Sequence, residues 1–395
     1  MVVTYRFFKK LQKIILLSIF TMICICGCTG HGEVRGNSEI ISGNSTNDSI
    51  ASNSYGHMNL QYATQFDVEY FEGGYALICI ADDKFILIPE GADEPNWMSE
   101  DMVAIRQPAQ DLYVAASSAL DLFDSIGELD RVTMTSTKYS DWSLESVTDA
   151  LDNGDMEYVG KYSAPDYEYI LSGDCNLAIE STMIYHSPEV KEQLELLGIP
   201  VMVERSSYES HPLGRMEWIK LYGLLCGCED NANEIFDSKV SEVESAMGLV
   251  NNANNTSVAF FYITNNGYAV VRRPGDYISQ MIEMAGGTYV IKDANDDSNS
   301  STMNMQIEAF YDCAASSDIL IYNSTIDGGI NSIDELVSKS QVLADFDAVK
   351  GGNVWCTGSN VFQKSGGAAD MLVELIYIIS GTADEHSLEY FYRVE

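Results

Sequence analysis

Aromatic and arginine side chains recur in this sequence just beyond predicted strands or in the loops there. Ligands of open α/β sheets bind at the carboxyl ends of strands, so these side chains are candidates for a binding cleft. Aromatic rings suit a large flat or greasy ligand, and arginine suits carboxylate, hydroxamate or catecholate oxygens. The expected ligand-binding residues are Tyr139, Trp142, Tyr162, Tyr185, Tyr268, Arg272, Arg273, Trp355, Phe362 and Gln363.

The two adjacent arginines stand out because basic residues are scarce. The chain holds 22 lysines and arginines against 59 aspartates and glutamates, for a formal net charge of −37. Such a field repels nucleic acid, so a nucleic-acid partner is not expected. For any one of the aromatic residues, packing in a core is an equally good interpretation. We expect at least one of Arg272 and Arg273 to contact ligand.

Catalytic motifs are missing from the sequence. It contains no GxSxG elbow, no HExxH pair and no phosphate-binding glycine loop. His57, His186 and His211 could each touch a metal centre, but none belongs to a ligand pair at helical spacing. We therefore predict no catalytic residue, no resident cofactor and no enzymatic activity.

Cysteines downstream of the N-terminal region lie in apolar runs rather than at metal-ligand spacings. Buried free thiols are the expected state of these six residues. The pair Cys226 and Cys228 suggests a metal site, but no nearby His or Cys completes a tetrahedral set, so none is predicted. The six are Cys79, Cys175, Cys226, Cys228, Cys313 and Cys356.

One stretch in the first half of the chain predicts a complete strand–helix–strand unit. A short helix from Pro165 to Leu171 leads into an apolar run from Cys175 to Ile179. An amphipathic helix from Pro188 to Leu197 follows, with Pro at its start and Gly198 as its stop. The extended run from Ile199 to Val203 completes a right-handed unit with parallel strands.

Strands and helices are predicted to alternate along the rest of the chain as well. The segment from Gln65 to Ile88 predicts a two-stranded hairpin that turns at Ala81 to Asp83. A buried strand and a helix are expected around Val114 to Ile126, and the order is repeated from Val258 onwards. Two helical stretches, Met216 to Leu225 and Ala232 to Val250, separate the halves. This order predicts an α/β protein with two Rossmann-like lobes, each a mainly parallel sheet wrapped by helices, joined by a long connector helix.

The N-terminus predicts export and a lipid anchor. Four basic residues precede an apolar segment from Ile14 to Ile25, which is too short for a transmembrane helix and fits a signal peptide. The segment ends in Cys26-Gly27-Cys28, which resembles the lipobox of bacterial lipoproteins and makes Cys28 the lipid acceptor. A Gly-, Ser- and Asn-rich stretch follows and predicts a flexible tether.

These patterns divide the 395 residues into five parts. Two lobes are expected because a chain of this length exceeds one small core. The predicted parts are a signal peptide over 1–27, a tether over 28–56, an N-terminal lobe over 57–211, connector helices over 212–252 and a C-terminal lobe over 253–395.

The helix ending in LxxLGIPV and the later HPLGRMEWI resemble substrate-binding lipoproteins of ABC importers for iron complexes and cobalamin. The resemblance covers Asn59 to Glu395. It implies an extracytoplasmic, lipid-anchored, monomeric protein that delivers a metal chelate to an ABC permease with ATPase subunits. It also implies that a serine pair, here Ser117 and Ser118, and the segment from Lys138 to Trp142 face the cleft.

The resemblance gives roles to three further residues. Glu168 and Glu308 each lie on a short helix about ten residues before a buried strand, and the family uses a glutamate there to dock to membrane-subunit arginines. Arg215 matches a family position and has either a ligand role or a structural role, through pairing with Glu204 or Glu209.

The ligand and two other function classes stay open from sequence. The YSDW segment from Tyr139 to Trp142 resembles cobalamin binders, whereas Arg272 and Arg273 suit an anionic ferric siderophore or haem. A metal-chelate-modifying enzyme would need ligating His or Cys at the cleft. A surface adhesin on the same scaffold would bind a macromolecule instead.

Overall fold

A five-stranded sheet opens the described part of the chain. The computed structural model of the protein describes residues 53–250, 255–292, 300–359, 361 and 363–395. The strands follow their order in the sequence and are antiparallel except for the last pair, which is parallel. They are β1 (Ser54–His57), β2 (Phe66–Phe71), β3 (Tyr75–Ile80), β4 (Asp83–Ile88) and β5 (Met102–Arg106).

The predicted hairpin in this region is wrong in its strand count, because three strands replace two. The expected turn is present at Ala81, between β3 and β4. A second turn at Gly73 and Gly74 separates β2 from β3, and both glycines have positive φ (85° and 84°). Side chains rarely adopt that conformation, so the glycine pair permits the turn that sequence reasoning missed.

A second sheet of five parallel strands forms the N-terminal lobe. Its order is β12-β11-β6-β7-β8, and β9 and β10 form a small separate ribbon. The strands are β6 (Leu112–Val114), β7 (Val132–Thr135), β8 (Glu157–Tyr158), β9 (Gly160–Lys161), β10 (Ala164–Pro165), β11 (Ala178–Ser181) and β12 (Val201–Glu204). The helices are α1 (Ser117–Ser125), α2 (Glu145–Asn153), α3 (Tyr167–Ser172) and α4 (Pro188–Leu196). The predicted unit β11-α4-β12 is confirmed as parallel.

Two helices leave this lobe and pack side by side. They are α5 (Pro212–Cys226) and α6 (Glu229–Met247), and Gly227 in the left-handed conformation ends the first. Gly223 lies so close to Ala232 of α6 that an added Cβ would meet its methyl at 2.4 Å, which explains a glycine inside α5. α5 and α6 fall within the stretch predicted to connect the lobes, and they pack against each other. No helix in the described ranges is long and apolar enough to cross a bilayer.

The C-terminal lobe contains a seven-stranded mixed sheet. Its order is β16-β14-β13-β17-β18-β19, with β15 paired to β13. The centre, β13-β17-β18, is parallel, and β14, β16 and β19 are antiparallel additions. The strands are β13 (Ser257–Ile263), β14 (Ala269–Arg272), β15 (Thr288–Tyr289), β16 (Thr302–Met305), β17 (Ile319–Tyr322), β18 (Val354–Thr357) and β19 (Phe391–Arg393).

Five α-helices lie in the described residues of this second lobe. They are α7 (Tyr277–Met284), α8 (Ile307–Ala314), α9 (Ile333–Lys339), α10 (Asp347–Lys350) and α11 (Ala368–Ser380). The last of them packs on both connector helices, α5 and α6, and Lys239 of α6 pairs with Asp370 of α11 at 2.7 Å. The two-lobed α/β fold class is confirmed, with a second sheet more mixed than predicted.

A buried carboxylate, Glu217, fixes the segment before β2 to helix α5. Glu217 is fully buried and accepts the backbone N–H groups of Gln61, Tyr62 and Ala63 at 2.7–3.0 Å. Lys220, also buried, donates to it at 2.9 Å. These donors offset the cost of burying the charge, which would otherwise be several kcal/mol.

We expect Glu217→Gln to destabilise the protein by about 3 kcal/mol, because an amide places an N–H against backbone donors and leaves Lys220 without its anion. Urea unfolding of both proteins would measure the loss. Glu192→Gln, at an exposed position of α4, is the matched control and should stay within about 0.5 kcal/mol of the parent. Equal unfolding midpoints for the two variants would contradict this role for Glu217.

Candidate functional site

Two adjoining cavities lie between the lobes. The inner cavity holds about 160 Å³, and the outer cavity holds about 630 Å³. Ser207, Arg215 and Tyr277 line both, so the two cavities form one cleft. The inner cavity is also lined by Ser117, Ser118, Ser206, Met281, Val361, Lys364, Ser365, Ala368 and Met371, and the outer by Gln65, Arg205, Tyr208, Glu209, Ser210, Arg273, Pro274, Gly275, Asp276, Ser300 and Ser301.

Arg205 comes directly after β12, at the carboxyl end of the parallel sheet. Its guanidinium donates to the side-chain oxygen of Gln65 at 3.2 and 3.3 Å and to the hydroxyl of Tyr185 at 3.0 Å. It also lies 4.6 Å from the centre of the Tyr208 ring. These partners are uncharged, and within the described residues no carboxylate reaches Arg205 at ion-pair distance.

Arg215 is the one residue of α5 that is not buried. It donates to the backbone oxygens of Ser207 at 2.6 Å and Glu209 at 3.2 Å, and its guanidinium lies 3.6 Å from the Tyr277 ring centre in the other lobe. Within the described residues, neither Glu204 nor Glu209 forms an ion pair with Arg215 through its carboxylate. The Glu209 carboxylate instead accepts the N–H groups of Thr64 and Gln65 and the Trp218 ring N–H.

The buried carboxylate of Glu204 is also engaged elsewhere. It accepts the backbone N–H of Ser206 at 2.7 Å. Burial raises the pKa of Glu204, and the bond to Ser206 and the charge of Arg215 partly offset that rise. The carboxylates nearest Arg215 are thus held by backbone donors, which leaves the guanidinium free to face the cleft.

Arg272 and Arg273, which the sequence singled out, follow one another at the end of β14. Arg272 pairs with Asp276 at 3.7 Å, and both side chains are nearly buried. Arg273 donates to the backbone oxygen of Thr302 at 3.2 Å and lines the outer cavity. Asp276 also accepts the N–H of Ile278 at the start of α7, although burial raises its pKa overall. Of the two arginines, Arg273 is the one at the cavity surface.

Polar contacts hold the lobes together beside the inner cavity. The side chain of Gln363 accepts the N–H of Ser143 and donates to the backbone oxygen of Asp141, both at 2.7 Å. Asp121 of α1 accepts the N–H of Gly366 at 2.6 Å. Burial raises the pKa of Asp121 to about 6, and the Gly366 N–H opposes that rise. The predicted residue Gln363 therefore bridges the lobes.

The predicted aromatic residues fall into exposed and buried groups. Tyr139, Tyr185 and Tyr268 are exposed, and of these only Tyr185 contacts a residue that lines the outer cavity. Trp142 and Trp355 are 8% and 3% exposed, and their ring N–H groups bond to Thr137 and Asn353.

The remaining predicted positions lie apart from the cavities or cannot be placed. Tyr162 packs against the apolar cluster under α3 and α4. Phe362 and the lipidation residue Cys28 lie outside the described residues.

Arg205, Tyr208 and Tyr277 are cleft residues that sequence reasoning missed. A signal for the first two was available, because Arg205 and Tyr208 follow the predicted strand Ile199 to Val203 by a few residues, as the chosen candidates follow theirs. Tyr277 is the first residue of helix α7. Its ring is reached by Arg215 across the lobe boundary, a contact that no local pattern encodes.

The two predicted docking glutamates occupy equivalent places. Glu168 lies on α3, which precedes β11, and Glu308 lies on α8, which precedes β17. Each of those strands is the middle member of a parallel trio, β6-β11-β12 in one lobe and β13-β17-β18 in the other. Both glutamate side chains are exposed.

Histidines and cysteines do not converge on the cleft. His57 pairs with Asp67 on β2, His186 is exposed, and His211 caps α5 and stacks on Tyr62, where burial lowers its pKa. The six cysteines are free thiols, two buried and four partly buried. Within the described ranges no three His, Cys, Asp or Glu side chains form a metal-binding group.

The chain belongs to the periplasmic binding protein family, whose sequence profile matches residues 113–361. The match begins within β6 of the N-terminal lobe and ends at Val361, which lines the inner cavity. The sheet formed by β1 to β5 lies before the matched region. An uncharacterized lipoprotein of Methanocaldococcus jannaschii is 22% identical over 385 residues, 90% of this chain and 89% of the relative. A second lipoprotein of that organism is 22% identical over 98% of this chain and its own full length.

Solved structures share the fold. A periplasmic haem-binding protein from Pseudomonas aeruginosa superposes with a TM-score of 0.57 at 15% identity, over 73% of this chain and 98% of that chain. A petrobactin-binding protein from Bacillus subtilis gives 0.55 at 16% identity, over 71% of this chain and 94% of that chain. At these identities the likeness establishes architecture alone.

Arg215→Lys should lower the free energy of unfolding of the ligand-free protein by about 1–2 kcal/mol, because lysine loses the planar stack on Tyr277 and one of two carbonyl bonds. Urea denaturation would measure the change. Arg106→Lys, on the exposed end of β5, is the control and should be neutral. If Arg215→Lys were as stable as the parent, its role in joining the lobes would be refuted.

Proposed function

We propose that this protein is the binding component of an ABC importer, held outside the cell by a lipid on Cys28. In this proposal it captures a metal chelate between its lobes and delivers it to a permease driven by ATPase subunits. The family membership supports the class of protein, and the lipoprotein relatives support the anchor. A ferric siderophore or haem is the preferred ligand, and cobalamin is the alternative.

The preference for an anionic chelate rests on the charges of the outer cavity. Arg205 and Arg215 are held by neutral oxygens and aromatic rings, so their positive charge is available to a ligand. Arg273 lines the same cavity. The two acids there, Glu209 and Asp276, are occupied by backbone N–H groups, and Asp276 also by Arg272. The cleft is thus locally positive in a chain whose net charge is −37.

The surroundings of these cations suit a bulky ligand. Tyr185, Tyr208 and Tyr277 bring aromatic rings to Arg205 and Arg215, and serines from both lobes supply hydroxyl groups around them. A ligand that contacts both lobes binds their closed arrangement more tightly than an open one, and it therefore stabilises the closed arrangement. No chemical step on the ligand is required.

Fluorescence titration against a ferric tris-catecholate, a ferric tris-hydroxamate, haem and cobalamin tests this function directly. We expect a catecholate chelate or haem to quench tyrosine and tryptophan emission at lower concentration than cobalamin does, because the cleft offers guanidinium groups to anionic oxygens. Tighter binding of cobalamin would overturn the preference for an anionic ligand. Failure of all four probes to bind would overturn the proposed function.

Arg205→Gln should weaken binding of the anionic chelate about tenfold, since one charge-assisted hydrogen-bond donor is lost. The loss should shrink as salt is raised. Arg106→Gln removes the same charge from the exposed end of β5, away from both cavities, and is the control that should bind like the parent. Equal affinities of the Arg205 and Arg106 variants would refute the ligand role of Arg205.

The docking proposal makes a separate prediction. Glu168→Arg and Glu308→Arg, each alone, should abolish chelate uptake by cells while leaving chelate affinity unchanged, because arginine would repel a basic surface on the permease. Uptake of radiolabelled iron chelate and fluorescence titration give the two readings. Glu192→Arg, at an exposed position of α4, is the control. Normal uptake by both variants would contradict docking through these acids.

A further inference from the structure

The segment from Asn59 to Gln65 lies ahead of the family match, and its last residue, Gln65, lines the outer cavity. Lys220 donates to the backbone oxygen of Asn59 at 2.8 Å. Glu217 holds the N–H groups of Gln61, Tyr62 and Ala63, and Glu209 holds those of Thr64 and Gln65 at 2.9–3.0 Å. These three charged side chains are buried, so the path of the segment is fixed along α5.

Fixing the backbone brings one side chain of this segment to the outer cavity. Gln65 lines that cavity, and its carbonyl oxygen accepts two N–H groups of Arg205, at 3.2 and 3.3 Å. The opposite edge of the same guanidinium donates to the Tyr185 hydroxyl at 3.0 Å. Arg205 is thereby held from two sides in one orientation.

The chemical identity of the Gln65 group matters as much as its position. A carboxylate at this place would form a two-pronged ion pair with Arg205 and cancel its charge. An amide oxygen orients the guanidinium without cancelling its charge.

We propose that Gln65 is a positioning residue for the ligand: it orients Arg205 towards the cleft while leaving its positive charge for an anionic chelate. The N-terminal segment ahead of the family fold then sets ligand affinity and charge preference. This inference rests on the proposed function, because it requires a chelate that binds in the cleft.

The test compares two chelates on three variants. Gln65→Glu should weaken binding of a ferric tris-catecholate, which is multiply anionic, by about tenfold to a hundredfold. Binding of an uncharged ferric tris-hydroxamate should change by less than about twofold. Gln65→Leu removes the contact with Arg205 but adds no charge. It should weaken binding of the anionic chelate less than Gln65→Glu does, and it should leave binding of the uncharged chelate unchanged. Raising the salt concentration should reduce the effect of Gln65→Glu.

Gln61→Glu is the matched control. It adds the same charge four residues earlier, on an exposed side chain of the same segment, and should leave both affinities unchanged. If the parent binds the anionic chelate and Gln65→Glu binds it equally well, the inference is overturned and the proposed function stands. The inference is also overturned if Gln61→Glu and Gln65→Glu weaken binding of the anionic chelate equally. The same holds if Gln65→Glu weakens binding of both chelates equally. Failure of the parent to bind either chelate overturns both proposals.

Discussion

Helix α5 depends on buried charges having partners. All of its residues except Arg215 are buried, and they include Glu217 and Lys220. A charged pair in such a place is tolerated only when its remaining hydrogen-bonding capacity is filled. The backbone of residues 59–63 fills it, with three donors for the carboxylate and one acceptor for the ammonium group. The hydrogen bonds of these buried charges are therefore complete only when a segment 154 to 161 positions earlier in the chain lies against α5.

The same arrangement connects the core to the cleft. Glu209 precedes α5, and its carboxylate accepts from Thr64, Gln65 and Trp218. With that acid occupied, Arg215 bonds to backbone oxygens and stacks on Tyr277, and Arg205 bonds to an amide and a phenol. Glu209 is thus held by main-chain donors and by Trp218, and within the described residues neither Arg205 nor Arg215 has a carboxylate as its hydrogen-bond partner.

The lobes and their order could be predicted from the sequence because hydrophobic period, proline starts and glycine stops are local signals. The unit β11-α4-β12 is an example, with bounds within a few residues of those expected. The antiparallel strands β14, β16 and β19 were missed, since short strands without clean alternation carry little local signal. β5 was missed for the same reason.

The cleft was less predictable than the fold. Arg273 was found because basic residues are rare and it follows an apolar run. Trp142 and Trp355 were chosen by the same reasoning but lie in cores, since position after a strand does not say to which side a ring turns. Glu217 and Gln65 gave no signal at all. Their roles arise from contacts across some 140 to 156 positions of sequence, which single-sequence reasoning cannot reach.

Helices α5 and α6 depend for their packing on helix α11, which lies near the carboxyl end of the chain. It is among the last elements of the chain, yet it covers α5 and α6, which come before the second lobe. The faces of α5 and α6 that α11 covers therefore have no cover until residues 368–380 have been synthesised. A chain that lacked these residues would leave the same faces exposed to water.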